Sequence, residues 1–330
     1  MSAQAQTTTN AAQQRKQERY LRGNEAIVVD KFSKSYGSNR VVDNLQFTVQ
    51  RGEFFALLGP NGAGKTTTVE TLEGYRIPDQ GTIRVLGLDP IRDAHMLKPQ
   101  IGVMLQQDGL YPGLTAREVL HLFAGYYEYP QNIDALLERV GLTASAKTRC
   151  RRLSGGQKRR LALAVALIGT PTLVFLDEPT AGMDPQARLA TWEIMLDLKR
   201  NGVTVLLTTH LMDEAERLAD RVGIIDHGRL IALDTPSNMT GMQNAHIVRF
   251  VAPAGLDCMQ LAALPSAHKA EEIRPGSYLI ETNTDDTVPD LLVELMAWLR
   301  DRAITLSELR VGHGSLEELF LRLTGSEVRD

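Results

Sequence analysis

A chain of 330 residues has room for about two domains. With 40 acidic against 36 basic residues, a formal net charge of −4, it lacks the bulk charge of a general polyanion binder. Apolar content of 43% and charged content of 23%, with 27 glycines and 14 prolines, exclude disordered, fibrous and collagen-like classes.

Residues 1–24 are rich in Gln, Ala and Thr, offer nothing to nucleate a core, and are expected to form a disordered tail. No apolar stretch of secretory type occurs in residues 1–20. Two cysteines, Cys150 and Cys258, make no disulfide framework and suit a reducing compartment. The longest uncharged apolar run, Leu161–Leu176, is interrupted by Gly169, Thr170, Pro171 and Thr172 and is too short to span a bilayer. A cytoplasmic location is expected.

From Ala26 onward, short apolar runs read as strands: Ile27–Val29, Leu45–Val49, Phe54–Leu58 and Ile83–Val85, then Leu173–Leu176 and Val203–Leu207. Such runs alternating with helical patterns imply an α/β fold with a mainly parallel sheet covered on both faces. Between Phe54–Leu58 and a helix-compatible stretch lies GPNGAGKTT, Gly59–Thr67, which fits the phosphate-binding pattern in its strand–loop–helix setting. The glycines let backbone N–H groups curl around phosphate oxygens, and the following helix adds its positive end. Lys65 is expected on the β- and γ-phosphates of the bound ligand and the Thr66 hydroxyl on Mg²⁺.

Further along, Leu153-Ser-Gly-Gly-Gln157 opens a helix that runs to Ile168: Ser154 is a good N-cap, and Gly155 and Gly156 leave N–H groups open to a second anion. The strand Leu173–Leu176 ends in Asp177, placed for a metal ion, and Glu178 follows, placed to polarise a water. Cys150, flanked by Arg149, Arg151 and Arg152, is a candidate for a lowered thiol pKa, although a structural cysteine is the simpler reading.

Composition shifts near Pro236: residues 236–330 hold 14 acids and 8 bases. The pattern there reads strand 246–251, helix 256–263, strand 277–282, helix 288–302, strand 304–310 and helix 315–324. The last helix opens with Ser315 and Glu318 at capping-box spacing. A small C-terminal α/β domain over 241–330 follows, after a main domain over 25–240.

Together these motifs resemble the nucleotide-binding subunits of ABC transporters over roughly residues 25–240. GPNGAGKTT is similar to the Walker A motif, LSGGQ to the signature, LVFLDE to Walker B with its glutamate, and AGMDP (181–185) to the D-loop, with Met183 where leucine is commoner. Tyr36 in KSYG matches the adenine-stacking aromatic, and His210 the switch histidine. In IGVMLQQDGLYPGLT the Q-loop glutamine falls on Gln106, with Gln107 leaving the register open.

The resemblance implies a P-loop NTPase of the ABC type, with N-terminal antiparallel strands and a helical subdomain inserted at about 100–165. It implies a head-to-tail homodimer that clamps ATP and Mg²⁺ between one copy's Walker A and the other's signature. Tyr36 then stacks on adenine; Gly59, Asn61, Gly62, Gly64, Lys65, Thr66 and Thr67 hold phosphates; Thr66, Gln106 and Asp177 serve the metal. Ser154, Gly155, Gly156 and Gln157 reach the opposite site, His210 contacts the γ-phosphate, and Glu178 acts as general base.

A separate integral-membrane permease would supply the pore, meeting the segment 108–115, with the chain peripheral on the inner face of the membrane. The ending SLEELFLRLTG (315–325) resembles that of ATPases serving bacterial drug, antibiotic and polysaccharide exporters, the daunorubicin-resistance type among them. The alternative is a soluble ABC ATPase acting on ribosomes or nucleic acid. One cassette instead of two, 112 positions from Lys65 to Asp177 and an acidic C-terminal segment speak against it, and no nucleic-acid partner is expected. A GTPase would need a guanine-reading N/T-K-x-D motif, which the sequence lacks.

Overall fold

The computed structural model describes residues 23–105, 109–241, 246–282, 287–312 and 315–325. They form two compact units, one running to Thr235 and one spanning Pro236–Gly325. The expected N-terminal tail (up to residue 22), Gln106, Gln107 and Asp108 lie outside the described residues.

In the first unit, β1 (Glu25–Tyr36), β2 (Asn39–Gln50) and β4 (Gln80–Val85) form an antiparallel sheet in the order β2-β1-β4. A six-stranded sheet holds β3 (Phe54–Leu58), β5 (Ile101–Met104), β6 (Leu173–Asp177), β7 (Thr204–Thr208), β8 (Arg221–Asp226) and β9 (Arg229–Asp234). Its order is β5-β6-β7-β3-β8-β9, parallel except for the last pair. Every residue of β3, β6 and β7 is buried, which is why these strands are continuous apolar runs without polar alternation.

Between the two sheets, Ile27, Val29, Phe32 and Phe47 pack with Phe55, Leu57, Val69 and Phe175 in one core. Phe47 stacks on Phe55 with centroids 5.4 Å apart, tying β2 to β3. The helices of this unit are α1 (Lys65–Leu72), the single turn α2 (Ala94–Leu97), α3 (Ala116–Ala124), α4 (Ile133–Arg139), α5 (Gly155–Leu167), α6 (Pro185–Arg200) and α7 (Met212–Leu218). Thr115 starts α3 through a complete capping box with Glu118. The helical insertion was expected from about residue 100, but Ile101–Met104 is a core strand paired to β6, so the departure from the sheet comes after it.

The six expected strands are present, mostly longer than their apolar runs. Three were not read from sequence: β5 has only four residues, β8 is interrupted by Gly223, and β9 is a part-exposed edge strand.

The second unit contains α8 (Pro236–Gly241), β10 (His246–Val251), α9 (Cys258–Ala262), β11 (Lys269–Arg274), β12 (Ser277–Thr282), α10 (Val288–Asp301), β13 (Glu308–Gly312) and α11 (Leu316–Thr324). Its antiparallel sheet has the order β11-β12-β10-β13, two interleaved split β-α-β units. Val248, Phe250, Tyr278 and Ile280 meet Leu291, Leu295 and Leu299 of α10 in a separate core. β11, KAEEIR, escaped the sequence reading because it is a charged edge strand with no buried residue. The strand expected at 304–310 begins instead at Glu308. Ser315 and Glu318 do form the expected capping box.

Candidate nucleotide-binding and hydrolysis site

The Gly59–Thr67 loop leaves the end of β3 and enters α1. All three of its glycines are required by the backbone, Gly62 through its φ of +83°. A Cβ on Gly59 would sit 2.4 Å from the Ile225 carbonyl oxygen on neighbouring β8, and Gly64 adopts φ +101°. Gly64 is also the N-cap of α1, so no side chain satisfies the helix's opening N–H groups, and the first turn holds no acid. Those N–H groups, the positive end of α1 and the exposed Asn61, Gly62 and Thr66 make an anion cradle. Thr67 behind them is half-buried.

Lys65 is buried, and its Nζ donates to the carbonyl oxygens of Gly59 (2.6 Å) and Pro60 (3.0 Å), which hold it across the loop. Burial pushes its pKa below the usual lysine range, against the pull of the Glu178 and Asp177 carboxylates. An ammonium so desolvated gains from any anion brought beside it.

β6 delivers Asp177 to the same place. The Thr208 hydroxyl, on adjacent β7, donates to Asp177 Oδ1. Burial raises the Asp177 pKa, the nearby Glu178 charge adds to this, and the Thr208 bond and Lys65 oppose it. Glu178 takes a left-handed backbone, φ +47°, a strained conformation for a residue with a Cβ, with its N–H donating to the Thr208 carbonyl at 3.0 Å. The turn aims Oε1 at His210 Nδ1, 3.2 Å away, and the Glu178 contact raises the histidine's pKa. Lys65, Asp177, Glu178 and His210 therefore form one electrostatic cluster.

Tyr36, at the end of β1, is part-exposed, with the Arg76 guanidinium 5.3 Å and the Lys34 ammonium 5.7 Å from its ring centre. The signature opens α5 by a complete capping box. Ser154 Oγ accepts from the Gln157 N–H at 3.2 Å, and Gln157 Oε1 accepts from the Ser154 N–H at 2.9 Å. Gln157 Nε2 donates to Ser145 Oγ at 3.0 Å, so its side chain is committed within its own chain. Gly155 opens onto empty space, whereas Gly156 faces Met183 and Ala187 of the D-loop and α6. Cys150 is buried, and burial raises its thiol pKa, contrary to the lowering considered from its arginine neighbours.

Sequence reasoning missed Thr208 and Glu214. Glu214 on α7 is fully buried, and its Oε1 accepts from Thr180 Oγ1 (2.8 Å) and Trp192 Nε1 (2.9 Å). It thereby ties the segment after Glu178, the helix after the D-loop and the start of α7 together. A carboxylate on a short charged helix carried no motif that would single it out.

This strand–loop–helix cradle with acidic strand ends defines a P-loop NTPase. The ABC transporter family profile matches residues 42–181. Nod factor export ATP-binding protein I of Paraburkholderia xenovorans is 41% identical over 317 residues, covering 92% of this chain and 99% of the relative. The linearmycin resistance ATP-binding protein LnrL of Bacillus subtilis is 36% identical, covering 92% and 100%. Among solved structures, an ATP-binding subunit of an ABC transporter aligns with a TM-score of 0.61 at 30% identity, covering 66% of this chain and 92% of that one. A bacterial ABC transporter cassette solved as a dimer aligns at 0.58 with 25% identity, covering 63% and 98%. The chain belongs to the ABC transporter family, as an ATP-binding subunit with the ABC ATPase fold. Among the described residues no helix is long and apolar enough to cross a membrane.

Proposed function

We propose that two copies of this chain close head to tail on ATP and that the cycle of closure and hydrolysis drives a separate membrane permease, from the cytoplasmic face, in the direction of export. The cluster of Lys65, Asp177, Glu178 and His210 beside an uncapped helix start carries the reading. In it, the Gly59–Thr67 loop and Lys65 bind the phosphates, and Tyr36 stacks on adenine. Glu178 takes the proton of a water directed at the γ-phosphorus, and His210, held by Glu178, contacts that phosphate. The second copy contributes Ser154, Gly155 and Gly156; Gln157 acts by shaping this turn. An exposed signature gains strength as an anion site when closure expels water.

The donors present suit Mg²⁺: the exposed Thr66 hydroxyl and the buried Asp177 carboxylate offer hard oxygens and leave positions for water and phosphate. Gln106 would complete this set. Bound there, Mg²⁺ would neutralise charge on the phosphate oxygens.

The permease reading is supported by relatives named for export and resistance that align along nearly the whole chain. It is also supported by a cleft of about 330 Å³ beside the segment 109–115, lined by Met104, Leu105, Leu110, Phe123 and Tyr127. Substances exported by drug, lipid or polysaccharide transporters are the candidate cargo. No observation favours the soluble ribosome- or nucleic-acid-directed alternative.

Glu178→Gln tests the core of the reading. The variant should bind ATP, hydrolyse it at least a hundredfold more slowly, and elute as a dimer with Mg²⁺–ATP by light scattering. A variant that hydrolyses normally removes Glu178 from the role of base, and one that stays monomeric with the permease present refutes the clamp.

A further inference from the structure

The same cleft contains a group that the hydrolytic site does not use. Glu73, the residue that ends α1, is 5% exposed, yet its Oε2 has no hydrogen-bond partner among the described residues while the side chain lines the cleft wall. A carboxyl group buried without a partner keeps its proton until a cation brought beside it takes that proton's place. The groups facing it are Glu70 on α1, Asp177 on β6, Tyr75 after α1, Tyr127 after α3 and the exposed Lys98 at the rim. Two of these are acids, which repel a second negative charge and attract a positive one.

The remaining wall is apolar or aromatic, and Tyr75 and Leu105 within it expose large apolar surface. An acid in the wall of an aromatic-lined cleft suits an ammonium or guanidinium on an apolar stem: the stem lies against the walls, the head pairs with the carboxylate, and the rings add cation–π attraction.

We infer that Glu73 is the specificity-determining residue of this cleft, recognising a lysine or arginine on an apolar segment of the permease that seats there. This rests on the permease reading and adds to it a chemical requirement on the partner: one cation, placed where an apolar face meets the cleft. A segment lacking that cation would leave Oε2 unpaired and dock weakly.

The test uses the full chain and two probes, n-hexylguanidinium, which mimics an arginine end on an apolar stem, and n-hexylurea, its neutral counterpart, titrated calorimetrically. The wild-type chain should bind the guanidinium at one site, at least tenfold more tightly than the urea, a comparison that needs no variant. Glu73→Gln should bring the ratio near one and leave basal ATP hydrolysis unchanged. Equal affinity for the two probes, binding of neither, or a preference that survives Glu73→Gln overturns the inference. In a second arm, membranes from cells co-producing the permease should retain the wild-type chain at least fivefold better than Glu73→Gln. Equal retention of both forms also overturns the inference. Retention of neither, with the probe preference intact, refutes the permease as occupant and leaves cation recognition by Glu73 standing.

Discussion

Glu73 has a consequence for stability that the structure quantifies. Its carboxyl is pushed up to about 8 from an ordinary 4.5, first by burial, then by the negative charges of Asp177 and Glu70. The folded chain therefore holds this proton more tightly than the unfolded chain. Across the window from pH 4.5 to 8, unfolding releases the proton, so stability falls as pH rises. Each tenfold difference in proton affinity corresponds to about 1.4 kcal/mol, so between pH 5.5 and 7.5 Glu73 should remove about 2.5 kcal/mol that the uncharged Glu73→Gln keeps. Urea unfolding of the nucleotide-free chain at these two pH values measures it. With a denaturant slope of ~2–3 kcal/mol/M, the gap between the midpoints of Glu73→Gln and wild type should widen by about 1 M. Curves that stay parallel across the window would show that Glu73 is solvated or paired, and would refute the burial argument.

The candidate phosphate loop and the cluster of Lys65, Asp177, Glu178 and His210 yield three further expectations. Lys65→Ala should abolish measurable ATP binding in an equilibrium titration, and unchanged affinity would remove the lysine from the phosphate site. Gly59→Ala should destabilise the chain by ~1–3 kcal/mol in thermal unfolding and impair nucleotide binding, because the new methyl group meets the Ile225 carbonyl. In Glu178→Gln the His210 imidazole should titrate at a lower pH than in wild type, since Glu178 is the main cause of its raised pKa. A proton NMR titration that finds no change would separate the two side chains.

Much of the site was legible because its parts are local. GPNGAGKTT combines a strand end, glycines at positions where a Cβ would clash or the backbone must turn, and a helix start, all within nine residues. LSGGQ likewise contains its own cap, Ser154 with Gln157. The long-range parts were hidden. Gln157 reads as a nucleotide contact, and only the structure shows its amide also bonded to Ser154 and Ser145. Glu214 reads as one more acid on a charged helix until Thr180 and Trp192 converge on it. Three arginines beside Cys150 offered a lowered pKa against the simpler structural reading, and burial, which raises it, dominates.

From the sequence alone came the phosphate loop, the signature, the acidic strand end and the alternation that makes an α/β core. Each rests on backbone geometry and burial periodicity within one element or its immediate neighbour. Only the tertiary structure decided that Thr208 holds Asp177, that Glu178 leans on His210 in a strained turn, and that Glu73 lines a cleft with an oxygen unpaired. The first two relations follow from the strand order β5-β6-β7-β3-β8-β9, which sets side by side the ends of strands about thirty residues apart in sequence. No local pattern encodes which strand ends become neighbours, because that choice is made by packing the whole sheet against its helices.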